Sequence, residues 1–206
     1  MSSSPPDIAT RILETCRDLF MKYGVRSVTM DDVAAQLGVS KKTIYQHYPD
    51  KREIVLAVAK HDFEHTTCRM DEMAQAARNP VEELIAIKRE YHRRLTEINP
   101  ALIMEVQKYY PSAWQYMQAR RQEFVIAHVG RNLQDGVQQG LYRADLNVDV
   151  ATRMYLQTIE MIMNAEVFPP SEFATAEVQS QAIDILLRGF VTDKGRAILE
   201  SILSEA

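Results

Sequence analysis

The chain has 206 residues and a formal net charge of −4, with 46% hydrophobic and 25% charged residues, the balance of an ordinary globular protein and not of a disordered one. No apolar run approaches the roughly 20 residues that a bilayer span needs. The opening Met1-Ser2-Ser3-Ser4-Pro5-Pro6 has neither the basic start nor the apolar stretch of a secretory signal, so it is expected to be a loose tail on a cytoplasmic protein. Cys16 and Cys68 both fall inside helical patterns, which suits reduced thiols in that compartment. Charge is uneven along the chain. Residues 1–60 hold nine Lys and Arg against seven Asp and Glu, leaving 15 against 21 for the remainder. Within the basic end, Lys41, Lys42, Lys51 and Arg52 cluster with Asp50 as the only acid among them, and such local concentration governs phosphate contact more than global charge does.

Taken in chain order, Ile8, Ile12, Cys16, Leu19, Phe20 and Tyr23 share one face of a first helix, which Gly24 stops. Thr29-Met30-Asp31-Asp32 has the form of a capping box and starts a second, short helix carrying Val33, Ala34 and Leu37. Gly38-Val39-Ser40 ends it at once: Gly permits a left-handed turn residue and Ser can cap the next helix. Ala34, four residues before Gly38, is small enough for two helices to cross closely, the spacing of a helix-turn-helix unit. The third helix, Lys41 to about Tyr48, has little apolar content beyond Ile44 and one face each of Tyr45 and Tyr48, so most of it must face something polar. Lys41, Lys42, Thr43, Tyr45, Gln46 and His47 offer donors, acceptors and aromatic edges that reach phosphates and base edges in a major groove. Asp50-Lys51-Arg52-Glu53 repeats a capping-box pattern, with Lys51 expected to point at a backbone phosphate.

The run Thr29-Met30-Asp31-Asp32-Val33-Ala34-Ala35-Gln36-Leu37-Gly38-Val39-Ser40-Lys41-Lys42-Thr43-Ile44-Tyr45-Gln46-His47-Tyr48-Pro49-Asp50-Lys51 closely resembles the DNA-binding signature of the tetracycline-repressor (TetR) family. The resemblance covers about the first 60 residues by motif and the rest by length and helix order. It implies an all-α fold: a three-helix helix-turn-helix head over residues 1–52 and a larger helical bundle for ligand binding and dimerisation over 53–206. By position, it implies that Thr29 contacts a phosphate, that Lys41, Lys42, Thr43, Tyr45, Gln46 and His47 face the groove beside the cap Ser40, and that Lys51 holds the backbone. Lys42 stands where a Gly or another small residue is frequent in the family, and Tyr48 replaces the usual Phe, departures that bear on the operator sequence.

Beyond the head, Pro80, Pro100, Pro111 and the Pro169-Pro170 pair punctuate stretches with apolar residues at spacings of three and four. Val81, Leu84, Ile85, Lys88, Tyr91, Leu95 and Ile98 trace one stripe, in which Lys88 is expected to bury its stem and keep its ammonium in water. A long helix follows Pro111, running through Trp114, Met117, Arg121, Phe124, Val125, His128 and Leu133 until Gly136 and Gly140 signal its end. Asn147 caps a further helix with Val148, Ala151, Tyr155, Leu156 and Ile159, and a last stripe runs from Val178 to Phe190. No segment alternates like a strand.

For this body the resemblance implies a small-molecule cavity among the middle helices and a homodimer interface formed by the last two long helices. Tyr91, Met104, Tyr109, Trp114, Met117, Phe124, Tyr155 and Met161 are the aromatic or adaptable side chains available to line the cavity, fewer than half of them being expected to touch a ligand. Ile183, Leu186, Leu187 and Phe190 are the candidates for the interface. Two-fold pairing would set two recognition helices about 34 Å apart on a palindromic operator. The reading is therefore a repressor that an effector releases from double-stranded operator DNA, with no cofactor and no membrane partner. A DNA-binding activator without an effector is compatible with the same head. A rival reading takes His61-Asp62-Phe63-Glu64-His65, with Cys68 one turn on, as the H-x-x-E-H pattern of zinc hydrolases. No Gly-rich phosphate loop and no nucleophile elbow is present to support another enzyme class.

Overall fold

A computed structural model describes residues 7–204; the tail expected at residues 1–6 lies outside the described residues. The helices, in chain order, are α1 (Ile8–Tyr23), α2 (Met30–Leu37), α3 (Lys41–His47), α4 (Lys51–Ala76), α5 (Pro80–Glu97), α6 (Ala101–Tyr109), α7 (Pro111–Gln138), α8 (Val148–Ile162), α9 (Thr175–Phe190) and α10 (Asp193–Ser204). Among the described residues extended pairing is confined to an isolated bridge between Tyr142 and Val191, and no helix is long and apolar enough to cross a membrane.

The chain forms two compact units. One comprises the chain up to Thr66 together with Glu97–Ala119, and the other Thr67–Thr96 together with Arg120–Ala206. This division differs from a boundary at residue 52. The reason lies in the first core, where Ile12, Cys16 and Phe20 of α1, Val33 and Ala34 of α2, Ile44 of α3 and Ile54, Val55 and Val58 of α4 are joined by Leu102 and Val106 of α6 and Ala113 of α7. Three short helices bury too little apolar surface to stand alone, and α6 completes the layer against α1. Asn99 ties it on, donating its backbone N–H to the Met21 carbonyl at 2.7 Å.

The second core gathers Val81, Leu84 and Ile85 of α5, Val125, Val129 and Leu133 of α7, Ala151, Tyr155 and Leu156 of α8, Ile183, Leu187 and Phe190 of α9 and Leu199 of α10. Gly136 is required here, because a Cβ at that position would lie 2.0 Å from the ring of Tyr142. Tyr142 is itself fixed: its hydroxyl lies 3.0 Å from the Pro80 carbonyl and 3.1 Å from Asn132 Oδ1, and burial drives its pKa above the ordinary phenol range. Lys88 departs from expectation. It is buried, and its ammonium meets Asp184 Oδ1 at 2.6 Å instead of reaching water.

This core takes up the side chains expected at a dimer interface. Ile183, Leu187 and Phe190 are 1%, 0% and 5% exposed within one protomer, and Leu186 packs partly against the same cluster, so that face of α9 is already occupied. Three consecutive apolar residues cannot all point one way on a helix, and it is Ile185, 72% exposed, that points out. On α8, Val150, Met154 and Met161 are also exposed, at spacings of four and seven that keep them on one face.

Candidate nucleic-acid interface and effector cavity

The head presents α3 through two caps and one turn. Thr29 and Asp32 close a complete capping box: the Thr29 hydroxyl accepts from the Asp32 N–H at 3.2 Å, and the Asp32 carboxylate accepts from the Thr29 N–H at 2.7 Å. The Thr29 hydroxyl also donates to the Asp32 carboxylate at 2.7 Å, and this bond, with that from the Thr29 N–H, holds the Asp32 carboxyl below its usual pKa. Gly38 follows α2 in the left-handed region at φ 69°, where any side chain would be strained. Ser40 then caps α3, its hydroxyl accepting from the Thr43 N–H at 3.1 Å and lying 2.9 Å from the Thr43 hydroxyl.

One side chain of α3, Ile44, is fully buried, and it anchors the helix in the first core. Lys41, Lys42, Tyr45, Gln46 and His47 are exposed and Thr43 is partly so, giving a continuous polar surface with an aromatic edge. Lys41 pairs with Asp31 at 2.9 Å, an exposed contact that a phosphate can replace at little cost. The structure thus brings Thr29 and the α3 set to the surface of one unit.

Lys51 does not join them. Its ammonium turns inward and donates to the carbonyls of Val25 and Val28, both at 2.5 Å, closing the turn between α1 and α2. Burial lowers its pKa, with Glu105 of α6 opposing the shift. The α4 start is capped instead by Asp50, whose carboxylate accepts from the N–H groups of Arg52 and Glu53. Sequence reading missed the support that α6 gives the same turn. Glu105 accepts from the Arg26 N–H at 2.9 Å, and the Arg26 guanidinium stacks 4.6 Å from the Tyr109 ring. A tertiary contact 79 residues away leaves no local signal.

In the second unit a cavity lies between α5, α7 and α8. Leu84, Ile87, Val125, Val129 and Ile159 give it aliphatic walls, Tyr91, Phe124 and Tyr155 aromatic ones, and Glu83 and His128 its polar positions. The empty space is about 350 Å³ counted out to the open mouth, but at its widest it admits little more than a water molecule. Of the eight side chains nominated from sequence, Tyr91, Phe124 and Tyr155 line it. The other five lie away from this cavity. Met104, Tyr109 and Met161 are exposed, whereas Trp114 and Met117 pack against the core of the first unit. Aromatic content nominated those residues; which face of each helix turns inward is set by packing.

The zinc pattern does not assemble. Glu64, His65 and Cys68 are exposed on α4, and among the described residues no three His, Cys, Asp or Glu side chains converge as metal ligands. Cys16 is buried in the first core, which pushes its thiol pKa up to about 12 and leaves it inert.

Two short helices set around a left-handed glycine, the second exposing all but one apolar anchor, define a helix-turn-helix DNA-binding head. The family described as bacterial regulatory proteins, tetR family, matches residues 12–58, which span this head. Over 186 residues, 89% of the chain and 96% of the relative, the protein is 30% identical to the uncharacterized HTH-type transcriptional regulator YvaF of Bacillus subtilis. It is 20% identical over 200 residues to the HTH-type transcriptional repressor KstR2 of Mycolicibacterium smegmatis, covering 94% of this chain and 95% of that one. Among solved structures, the transcriptional regulator FadR of Bacillus subtilis in complex with stearoyl-CoA shares the fold at a TM-score of 0.63 and 18% identity, over 87% of this chain and 98% of that chain. The chain belongs to the TetR family of bacterial transcriptional regulators.

Proposed function

We propose that the protein is a homodimeric repressor which binds a palindromic operator through α3 and leaves it when a small molecule occupies the body cavity. The observation that carries this reading is the α3 surface, where Ile44 alone is buried while Lys41, Lys42, Tyr45, Gln46 and His47 stand exposed. Thr29, Ser40 and Thr43 serve as caps, and their hydroxyls, at helix N-termini, suit phosphate contact as well. Tyr45, Gln46 and His47, further along α3, are the base-reading positions, and Lys42 adds a charge to the groove.

One α3 of seven residues reads few base pairs, so useful specificity requires two. The exposed Val150, Met154 and Met161 of α8 and Ile185 of α9, on helices that pack against each other, supply an apolar surface for a second copy in a four-helix arrangement. The cavity of the second unit is the effector site, with Tyr91, Phe124 and Tyr155 as its aromatic wall. The repressor sign follows KstR2, and an effector follows the ligand held by FadR. Selection of bound sequences from random duplex DNA at near-physiological salt tests the proposal. A palindromic enriched motif is expected, and absence of enrichment would overturn it.

A further inference from the structure

His128 stands on the cavity wall with both ring nitrogens against oxygen. Nδ1 is 3.0 Å from the carbonyl of Phe124, and Nε2 is 3.0 Å from Oδ1 of Asp71. A carbonyl and a carboxylate are both acceptors, so the two nitrogens are satisfied together only when each carries a proton. The neutral ring keeps one of these bonds and turns a lone pair toward the other oxygen.

The position of the ring gives this a consequence. It stacks on Phe124 with centroids 3.9 Å apart and planes 16° from parallel, and both residues line the cavity. Because that cavity is narrow, an occupant larger than water must move its walls, and the Phe124–His128 stack forms part of them. Asp71 lies on α4, one continuous helix that begins at Lys51, directly after the recognition helix. The other titratable groups on the wall are Glu83 and Tyr91 of α5 and Tyr155 of α8, and Glu83 is paired with Arg131 of α7 at 3.3 Å. A second tie from α4, Arg69 to Glu90 at 3.2 Å, joins groups that keep their charge through neutral pH, with Arg93 holding the Glu90 carboxyl low. The Asp71–His128 contact is the tie of these two that loss of a proton can loosen and an occupant can open.

We propose that Asp71 and His128 form a latch on α4, held by charge when His128 carries both protons, loosened when the ring gives up its Nδ1 proton and with it the charge, and opened when a ligand displaces the ring. His128 is then a positioning residue acting through Asp71. The ligand arm rests on the effector-site reading above, whereas the proton arm stands without it.

The test is hydrogen exchange of the backbone amides of residues 67–76 in the full-length protein, without DNA or ligand, at about pH 6 and about pH 8, corrected for intrinsic rates. Opening is expected to rise about two- to fivefold with pH in the wild type, the range of a partly exposed ion pair. Asp71→Asn should open to the higher level at both pH values, and Asp71→Glu should restore the dependence. Asp71 is half exposed, so neither change threatens the fold. Exchange that ignores pH in the wild type, or that keeps its pH dependence in Asp71→Asn, overturns the latch. Affinity for a selected duplex, measured in parallel, should fall with pH in the wild type more than in Asp71→Asn, with His47 common to both. Failure to select any duplex would sink the operator reading and leave the exchange result standing.

Discussion

The head and the body are held together in different ways, and the difference explains what each does. In the head, the elements that aim α3 are local: the Thr29–Asp32 box, the Gly38 turn, the Ser40 cap and the Asp50 cap each join residues two to four positions apart or sit in one backbone torsion. In the body, the decisive contacts are distant in sequence. Tyr142 meets Pro80, Lys88 meets Asp184 and His128 meets Asp71, across 62, 96 and 57 residues. Local caps fix how α3 is presented, while α6 supports the turn behind it from a distance in sequence. A body of long-range contacts around a narrow cavity has packing that an occupant can rearrange.

The largest expected effect breaks the body alone. Gly136→Val forces side-chain atoms into the Tyr142 ring, which two hydrogen bonds hold in place, and should destabilise the second unit by about 3 kcal/mol or more. Urea unfolding followed by helical signal should then show the body melting early. Leu187→Ala, by emptying a fully buried site, should cost about 3 kcal/mol through cavity formation. Its neighbour Ile185→Glu should leave the denaturation midpoint of the protomer within about 0.5 kcal/mol and instead abolish the dimer in sedimentation. If Leu187→Ala dissociates the dimer while Ile185→Glu does not, the exposed α8–α9 face is not the interface.

A smaller effect separates two lysines of the head. Lys51→Met strands the carbonyls of Val25 and Val28 in a partly buried turn and should lower head stability by about 1–2 kcal/mol. Its salt dependence of operator binding should match the wild type, because the ammonium is turned inward onto the Val25 and Val28 carbonyls. Lys42→Ala should do the reverse, sparing stability and reducing the slope of log affinity against log salt by about 1. A reduced slope in Lys51→Met would restore that residue to the phosphate contacts.

These contrasts also mark what the sequence made legible. The head helices, Ser40 and Thr29 as caps, and the exposure of Lys42, Tyr45, Gln46 and His47 follow from signals spanning a few residues, and the structure carries each of them. The stripe of α5 was legible at Val81, Leu84, Ile85 and Lys88, whereas Ile98 lies beyond the helix and packs in the first core, and the buried Ile87 and Glu90 fall outside the stripe. The direction of the Lys51 ammonium was not legible, because its spacing gives a helix N-terminus while the carbonyls of Val25 and Val28 take the ammonium. The burial of Ile183, Leu187 and Phe190 within one protomer was not legible, because an apolar residue reads the same whether its neighbour is its own α5 and α8 or a second protomer. The cavity wall was half legible: aromatic type pointed to Tyr91, Phe124 and Tyr155, while Leu84, Ile87 and Val129 carry no mark that distinguishes a cavity from a core.

The smallest effect tests the local character of the head by pH. Asp32 is a capping acid, fully exposed, whose carboxyl is held below its usual value by the hydroxyl and N–H of Thr29. A carboxyl with a lowered folded-state pKa stabilises the fold above its unfolded value, and that contribution disappears as pH falls through the lowered one. The head of the wild type should therefore lose a small increment of stability on acidification below about pH 4, where an unfolded aspartate takes up its proton. Asp32→Asn should remove the increment at neutral pH and flatten this part of the acid profile, without altering the salt slope of DNA binding. The measurement is thermal unfolding against pH for both proteins. A capping box that aims α3 by local bonding requires the two profiles to converge at the acid end, since a protonated Asp32 and the variant's amide both lack the charge that the N-terminus of α2 attracts. Profiles that stay parallel would mean that the Asp32 charge contributes nothing to the head and that Thr29 caps α2 unaided.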